Sequence, residues 1–317
     1  MNFANITEAQ KIYEKIISAQ KIGIISHQNP DGDCLGSQLG LAEFLISQEK
    51  KVKTFCCDPA PDSFCFLPGS EKIFNNLDLN CDLLIFVDCG NIFQTGFADV
   101  LKNNEIFSIN FDHHPDNPKF GDLNLVLPKF SSTTAILTKF FIDFDFLISP
   151  QVATCFLTGI FTDTGSFQHS NADSNSHRLA AKLLSRGANL EIIRQEVFKT
   201  KKISTLKLWG KVLSRAQFSS TDLAIFSIVK DLDFEKTKAN PKDIGGAIDF
   251  LNMVPEANFS FLLTEKDGSV KGSFRARGEK TDVQKIAKFF GGGGHKKAAG
   301  FTIPGKLKRE VRWKIIQ

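Results

Sequence analysis

No stretch of this 317-residue chain approaches the roughly 18 consecutive apolar residues of a membrane-spanning helix, so a membrane segment is not expected. The seven cysteines, at 34, 56, 57, 65, 81, 89 and 155, are odd in number and include no C-x-x-C pair. That excludes a disulfide scaffold and a cysteine-based zinc site, and leaves reduced, packed thiols. The chain also lacks a Gly-x4-Gly-Lys-Ser/Thr phosphate loop, and no dinucleotide fingerprint of glycines follows its first strand, so neither common nucleotide-binding loop is available. The first twenty residues lack the uninterrupted apolar core of a signal peptide. They carry Glu8, Lys11, Glu14 and Lys15 on a helical pattern, with Thr7 and Gln10 spaced as a capping box, and a cytoplasmic protein is expected.

The net charge is small, +4, but it is divided unevenly along the sequence. Residues 1–195 hold 15 Lys+Arg against 22 Asp+Glu, a net −7, and residues 196–317 hold 24 against 13, a net +11. An acidic half suits cations and a basic half suits anions, the pairing that a phosphate-ester enzyme needs. The length predicts about two domains.

Short apolar runs alternate with helical patterns up to about residue 195. Strands are expected at 21–26, 51–57, 82–88 and 105–111, with a helix at 34–48 between the first two. Strands alternating with helices predict a parallel sheet covered on both faces. Three further helices are expected at 133–144, 151–161 and 176–186. Residues 196–218 form a polar, Lys-rich stretch with few apolar anchors and are read as a linker. Beyond it, strands at 223–230, 258–265, 269–277 and 298–303 and helices at 244–254 and 283–290 predict a smaller α+β domain over 219–317, with a hairpin turn at Lys266-Asp267-Gly268.

What the first half does contain is a set of acidic clusters, each following an apolar run. His27, Asp31 and Asp33 share the turn His27-Gln-Asn-Pro-Asp31-Gly-Asp33; Asp88 ends a strand; Asp112-His113-His114 ends another; and Thr162-Asp163-Thr164-Gly165 follows the run 156–161. In an open parallel sheet, ligands collect beyond the carboxyl ends of the strands, so these dispersed loops converge. Imidazole and carboxylate without thiolate favours manganese, magnesium or cobalt over structural zinc, and Cys34 and Cys89 are not expected to ligate. Ser131-Ser132-Thr133-Thr134 reads as a helix cap whose N–H groups could touch a phosphate. In the basic half, the glycine run 291–294 precedes His295, and Arg275 and Arg277 are expected on one face of a strand, where their forked guanidinium groups suit phosphate.

These motifs, with Gly272-Ser273-Phe274-Arg275-Ala276-Arg277, Phe290 to His295 and Ala298-Ala299-Gly300, resemble the DHH phosphoesterases and their associated C-terminal domain, in order and over nearly the whole chain. The likeness is greatest to the bacterial nanoRNase (oligoribonuclease)/pAp phosphatase group. It implies a parallel-sheet DHH domain at 1–195, with helices on both faces, a smaller substrate-binding α+β domain at 219–317, and an active site in the cleft between them. It implies two divalent metal ions, manganese first, with His27, Asp31, Asp88 and Asp163 holding one and Asp33, Asp88, His113 and Asp163 the other, so that Asp88 and Asp163 bridge. His114 would face the scissile phosphate, making His114, Asp88 and Asp163 the catalytic set, and Asp112 would orient an imidazole rather than bind metal. Ser273, Arg275, Arg277, Gly293, Gly294 and His295 would contact the substrate.

The implied activity is hydrolysis of short oligoribonucleotides to 5′-mononucleotides and removal of the 3′-phosphate from adenosine 3′,5′-bisphosphate (pAp), and a homodimer is an open option. Two neighbours compete: a phosphodiesterase for cyclic or linear dinucleotides (c-di-AMP, pApA, pGpG), and an inorganic pyrophosphatase, against which the glycine run argues. A different class, a non-catalytic nucleotide- or RNA-binding module, would require a missing metal ligand, and none is missing. Gln168 and Ala276 depart from the residues usual at those positions, which bears on substrate preference.

Overall fold

The apolar runs of the first half form the strands of one parallel sheet. The computed structural model describes residues 2–102, 104–199, 202–278 and 281–308, and the chain divides into two units, Met1–Thr200 and Lys201–Gln317. The first contains α1 (Thr7–Ser18), β1 (Lys21–Ile25), α2 (Gly32–Ser47), β2 (Lys51–Phe55), β3 (Leu83–Val87), α3 (Ala98–Leu101), β4 (Ser108–Asp112), β5 (Leu123–Val126), α4 (Thr133–Asp143), α5 (Pro150–Asp163), α6 (Ser174–Ser185) and α7 (Leu190–Arg194). A π-helical turn, Gln195–Lys199, follows α7.

The strand order is β2-β1-β3-β4-β5, every pair parallel. A parallel sheet buried on both faces must be apolar on both, and β3 shows how: Leu83, Ile85 and Val87 enter the larger core, while Leu84 and Phe86 enter a smaller one behind it. Helices α2, α4 and α5 supply the larger core, and the short α3 contributes Leu101 to the smaller. The chain leaves β1 toward β2 on one side and reaches β3 on the other, so the β1/β3 boundary is the topological switch point where this strand order places its ligand crevice.

The edge strand β5 was not expected from the sequence. The capping box at Thr7 and Gln10 does not form: Ile6 occupies the cap position without a side-chain bond, and Gln10 Nε2 donates to Ala4 O at 2.7 Å.

The second unit contains α8 (Ile203–Ser214), β6 (Gln217–Ser219), β7 (Ala224–Val229), α9 (Asp231–Thr237), a 3-10 turn at Pro241–Ile244, α10 (Ala247–Leu251), β8 (Phe259–Lys266), β9 (Ser269–Ala276), α11 (Val283–Phe289), β10 (Gly293–His295) and β11 (Ala298–Pro304). Its mixed sheet runs β10-β11-β9-β8-β7-β6, with only β7 and β8 parallel. Much of the stretch expected as a linker is structural here. Helix α8 buries Leu208 and Val212 in a core with Phe234 and Leu251, because a narrow apolar stripe suffices to dock a helix that is otherwise polar. Asp267 and Gly268 both have positive φ, 49° and 74°, as the tight hairpin turn requires. The glycine run is not a loose turn, since Gly293 and Gly294 pair with Gly300 and Ala299.

Candidate metal centre

The turn after β1 is shaped by its own side chains. Asn29 takes a left-handed φ of 52°, and its N–H donates to Asp58 Oδ2 at 2.7 Å. Asp31 then caps α2, with Oδ1 accepting from the N–H groups of Asp33 and Cys34, each at 3.0 Å. His27 Nδ1 lies 2.8 Å from Gln28 O. A carbonyl only accepts, so in the neutral ring Nδ1 carries the proton and Nε2 carries the lone pair. Nε2 stands 3.8 Å from Asp31 Oδ1 and 3.5 Å from Asp88 Oδ2.

Asp88 sits where β3 ends, its N–H bonded to Phe111 O at 2.9 Å and its φ at 58°. Left-handed backbone is unusual outside glycine, and Asp and Asn tolerate it best. The turn aims the two carboxylate oxygens in different directions: Oδ2 toward His27, and Oδ1 toward His113 Nε2 at 3.6 Å. His113 Nε2 is also 3.9 Å from Asp33 Oδ2 and 3.8 Å from Asp163 Oδ2. These separations exceed a hydrogen bond. They leave room for a cation that His113, Asp33, Asp88 and Asp163 would hold between them.

Asp33 and Asp163 come from α2 and α5, brought together by a feature not read from the sequence, the glycine series 32, 36 and 40 at a spacing of four. A Cβ at Gly32 would overlap the Thr162 side chain, one at Gly36 would overlap Cys155 O, and one at Gly40 would come within 2.6 Å of the Phe156 ring. Gly159 on α5 is equally closed, against Thr134 and Asp33. The helices can therefore touch along their first and last turns, where the two carboxylates lie.

Asp33 is held from the start of α4. Thr133 N–H donates to Oδ2 at 2.6 Å, and Thr134 donates to Oδ1 through its N–H at 2.9 Å and its hydroxyl at 2.6 Å. Thr133 Oγ1 donates to Asp88 Oδ1 at 2.9 Å. Ser132 caps the helix as expected, accepting from Ala135 N–H. The N–H groups considered for a phosphate are thus turned to a carboxylate instead. Asp112, fully buried, accepts from His114 Nδ1 at 2.8 Å and from Asn117 Nδ2 at 2.6 Å. Asn117 was not singled out from the sequence. His169 and Asn171 donate to the backbone oxygen of Asp163, at 3.4 and 3.2 Å.

The electrostatics describe a centre arranged for cations. Burial, then the charges of Asp88 and Asp163, push the Asp33 carboxyl well above the usual carboxylate range. Burial would also raise Asp88, but the His27 imidazole beside it and the charges of His114 and His113 outweigh it and hold its carboxyl below that range. Burial would lower His114, yet the bond to Asp112 and the charge of Asp88 push its imidazole up to about 10. A buried Asp33 carboxyl raised by its carboxylate neighbours fits divalent cations, which would remove the repulsion. Burial also raises the Cys34 and Cys89 thiols, which stay protonated and turn toward backbone carbonyls.

In the second unit, Ser273 and Arg275 lie on one face of β9 and line a cavity of about 440 Å³ with Gly293 and Gly294. Arg275 Nε donates to Asp249 Oδ1 at 3.1 Å. Arg277 lies past the end of β9 and is not among the lining residues. Its Nη1 donates to Met253 O at 3.1 Å, beyond the end of α10. His295 closes β10, half-buried, opposite Ala298.

Residues 21–160 match the DHH family, N-terminal domain, and residues 223–316 match the DHHA1 domain. The chain belongs to the DHH family. Within it, the chain is 32% identical to the "Bifunctional oligoribonuclease and PAP phosphatase NrnA" of Thermus thermophilus, over 94% of this chain and 89% of that one. It is 29% identical to the probable protein of that name from Streptococcus mutans, over 93% of each. Among solved structures, an exopolyphosphatase-related protein from Bacteroides fragilis superposes with a TM-score of 0.87 at 27% identity, covering 96% of this chain and 92% of that one.

Proposed function

We propose that this chain is a two-metal phosphoesterase that hydrolyses short oligoribonucleotides to 5′-mononucleotides and removes the 3′-phosphate of pAp. The observation that carries the reading is the divergence of the Asp88 oxygens toward two imidazoles at the β1/β3 switch point. Its relatives from Thermus thermophilus and Streptococcus mutans, named for both activities, support the substrate class.

His27, Asp31, Asp88 and Asp163 would hold one ion, and Asp33, Asp88, His113 and Asp163 the other, with Asp88 and Asp163 shared. The oxygen and nitrogen donors favour manganese, with magnesium or cobalt as alternatives. Two such ions lower the pKa of a water and neutralise charge that grows on phosphoryl oxygens. The residues do the rest. Thr133 and Thr134 fix Asp33, and Asp112 with Asn117 fixes the His114 ring so that its proton is held near the reacting phosphate. Arg275, Ser273 and the backbone at Gly293 and Gly294 would hold the nucleotide, with Arg277 and His295 completing the contacts. We place the protein in the cytoplasm; no helix among the described residues is long and apolar enough to cross a membrane.

The test is turnover of pAp, a dinucleotide RNA, pyrophosphate and c-di-AMP side by side with manganese, each repeated in excess chelator. Preference for pAp and the dinucleotide, abolished by chelation and restored by manganese or cobalt, is expected. Preference for pyrophosphate or c-di-AMP, or full turnover by verified metal-free protein, would overturn the reading.

A further inference from the structure

The cavity of the second unit extends beyond the residues already assigned to it. Strand β9 alternates, so Lys271, Ser273 and Arg275 share one face while Val270, Gly272 and Phe274 are buried on the other. Lys271 lines the cavity together with Ser273 and Arg275, and Lys242, from the 3-10 turn, lines it as well. No carboxylate lines this cavity among the described residues. Arg275 is paired with Asp249, whereas neither lysine has a carboxylate partner among the described residues. Four residues along a strand separate Cα atoms by roughly 13 Å, so Lys271 and Arg275 suit two anionic groups rather than one.

The glycines show that the space is kept open. A Cβ on Gly294 would come within 2.6 Å of Ala298 O, so packing alone demands glycine there. A Cβ on Gly293 would meet nothing within 4 Å. The absent side chain at 293 is therefore room in the cavity, not a requirement of the strand pairing. No aromatic side chain lines the cavity among the described residues, so a ligand is gripped by its charge and backbone rather than by base stacking.

We propose that Lys242 and Lys271 form a second anion position that takes the backbone phosphate of a further nucleotide in a single-stranded oligoribonucleotide. The protein then prefers oligonucleotides of several residues to a mononucleotide bisphosphate. This inference rests on the phosphoesterase reading and extends it to substrate length.

The experiment measures kcat/KM for pAp and for oligoribonucleotides of increasing length, with full-length wild type, Lys271→Ala, Lys271→Arg and Lys242→Ala. Lys236→Ala, which removes the same charge from exposed α9 outside the cavity, is the control. The tetranucleotide-to-pAp ratio should fall about tenfold in Lys271→Ala, as for loss of one charge-assisted contact, and Lys271→Arg should restore most of it. The log–log salt dependence for the tetranucleotide should become shallower by about 0.7. An unchanged ratio, or an equal fall in Lys236→Ala, overturns the proposal. Affinity of a fluorescein-labelled tetranucleotide in EDTA separates this idea from the function itself. If wild type turns over neither substrate, the function reading fails, yet length-dependent affinity lost in Lys271→Ala still supports the anion position. Absent or length-independent affinity in wild type overturns the anion position even where pAp turnover is intact.

Discussion

Thr134 donates both its backbone N–H and its hydroxyl to a single oxygen of Asp33, at 2.9 and 2.6 Å, from 101 residues away. With Thr133 on the other oxygen, the carboxylate is fixed in direction by the first turn of α4. One of these donors can be removed without touching a proposed ligand.

Thr134→Val deletes the hydroxyl and keeps the branched shape, whereas Thr134→Ser retains a donor. A hydrogen bond to a carboxylate contributes roughly 1.5 to 3 kcal/mol, and partners of metal ligands typically alter affinity 10- to 100-fold. Manganese affinity by calorimetry should fall by about that factor in the valine variant and much less in the serine variant. Equal affinity in wild type and Thr134→Val would show that the N–H groups alone position Asp33.

Asp88→Asn keeps the size of the side chain and a residue tolerant of the left-handed backbone at 88, so it tests charge without adding strain. Loss of at least one metal and on the order of a thousandfold in turnover is expected, comparable to losing a principal electrostatic stabiliser. Near-normal metal content and rate would refute the bridging role. His169→Ala, on the turn that follows Asp163, should cost far less.

The His114 imidazole titrates at about 10 in the folded chain, against an ordinary 6.5. A raised folded pKa gives stability that is fully present below pH 6.5 and lost as pH rises through about 10. Thermal unfolding of metal-free protein from pH 7 to 10 should therefore show a falling midpoint. Asp112→Asn, which weakens the main cause of the upward shift, should flatten that fall, with each kcal/mol worth about 2 to 4 °C at this chain size. Parallel curves for the two proteins would remove Asp112 as the cause.

Arg275→Ala and Arg277→Ala should differ, because Arg275 lines the cavity and Arg277 bonds to backbone oxygens beyond α10. For Arg275→Ala, kcat/KM on pAp should drop about ten- to a hundredfold, the value of a charge-assisted contact, while bis-p-nitrophenyl phosphate, which has no nucleotide to hold, changes much less. Arg277→Ala should show a smaller kinetic loss and a lower unfolding midpoint. Equal losses on both esters for Arg275→Ala, with metal content intact, would place that arginine at the reaction centre.

The proposed metal ligands were legible as candidates because each follows an apolar run, so their residue types and positions could be read together. His27, Asp31, Asp33, Asp88, His113 and Asp163 come together in the first unit, through the contacts of His27 and His113 with the carboxylates and the partners Asp33 shares with its neighbours. What holds them was not legible. The threonines of α4 read as a cap because local sequence shows a helix start and cannot show a carboxylate brought from another helix. Asn117 gave no signal beyond a turn residue. Strand β5, four residues long, is too short to show a period, and α8 docks through Leu208 and Val212 in a segment otherwise rich in lysine. The two arginines looked equivalent by spacing, but β9 ends at Ala276, and with it the alternation that would have kept Arg277 on the same face.

The glycines of α2 have a further implication for how the centre could change. Because α2 meets α5 where no side chain can be inserted at Gly32, Gly36 or Gly40, the spacing between Asp33 and Asp163 is inherited from two rigid rods in contact. Insertions in the long connections that follow β2 and β3 would leave that spacing alone, so such loops can diversify without moving the two carboxylates. A single methyl group added at Gly36 would instead pry the rods apart and spoil the centre from within the core.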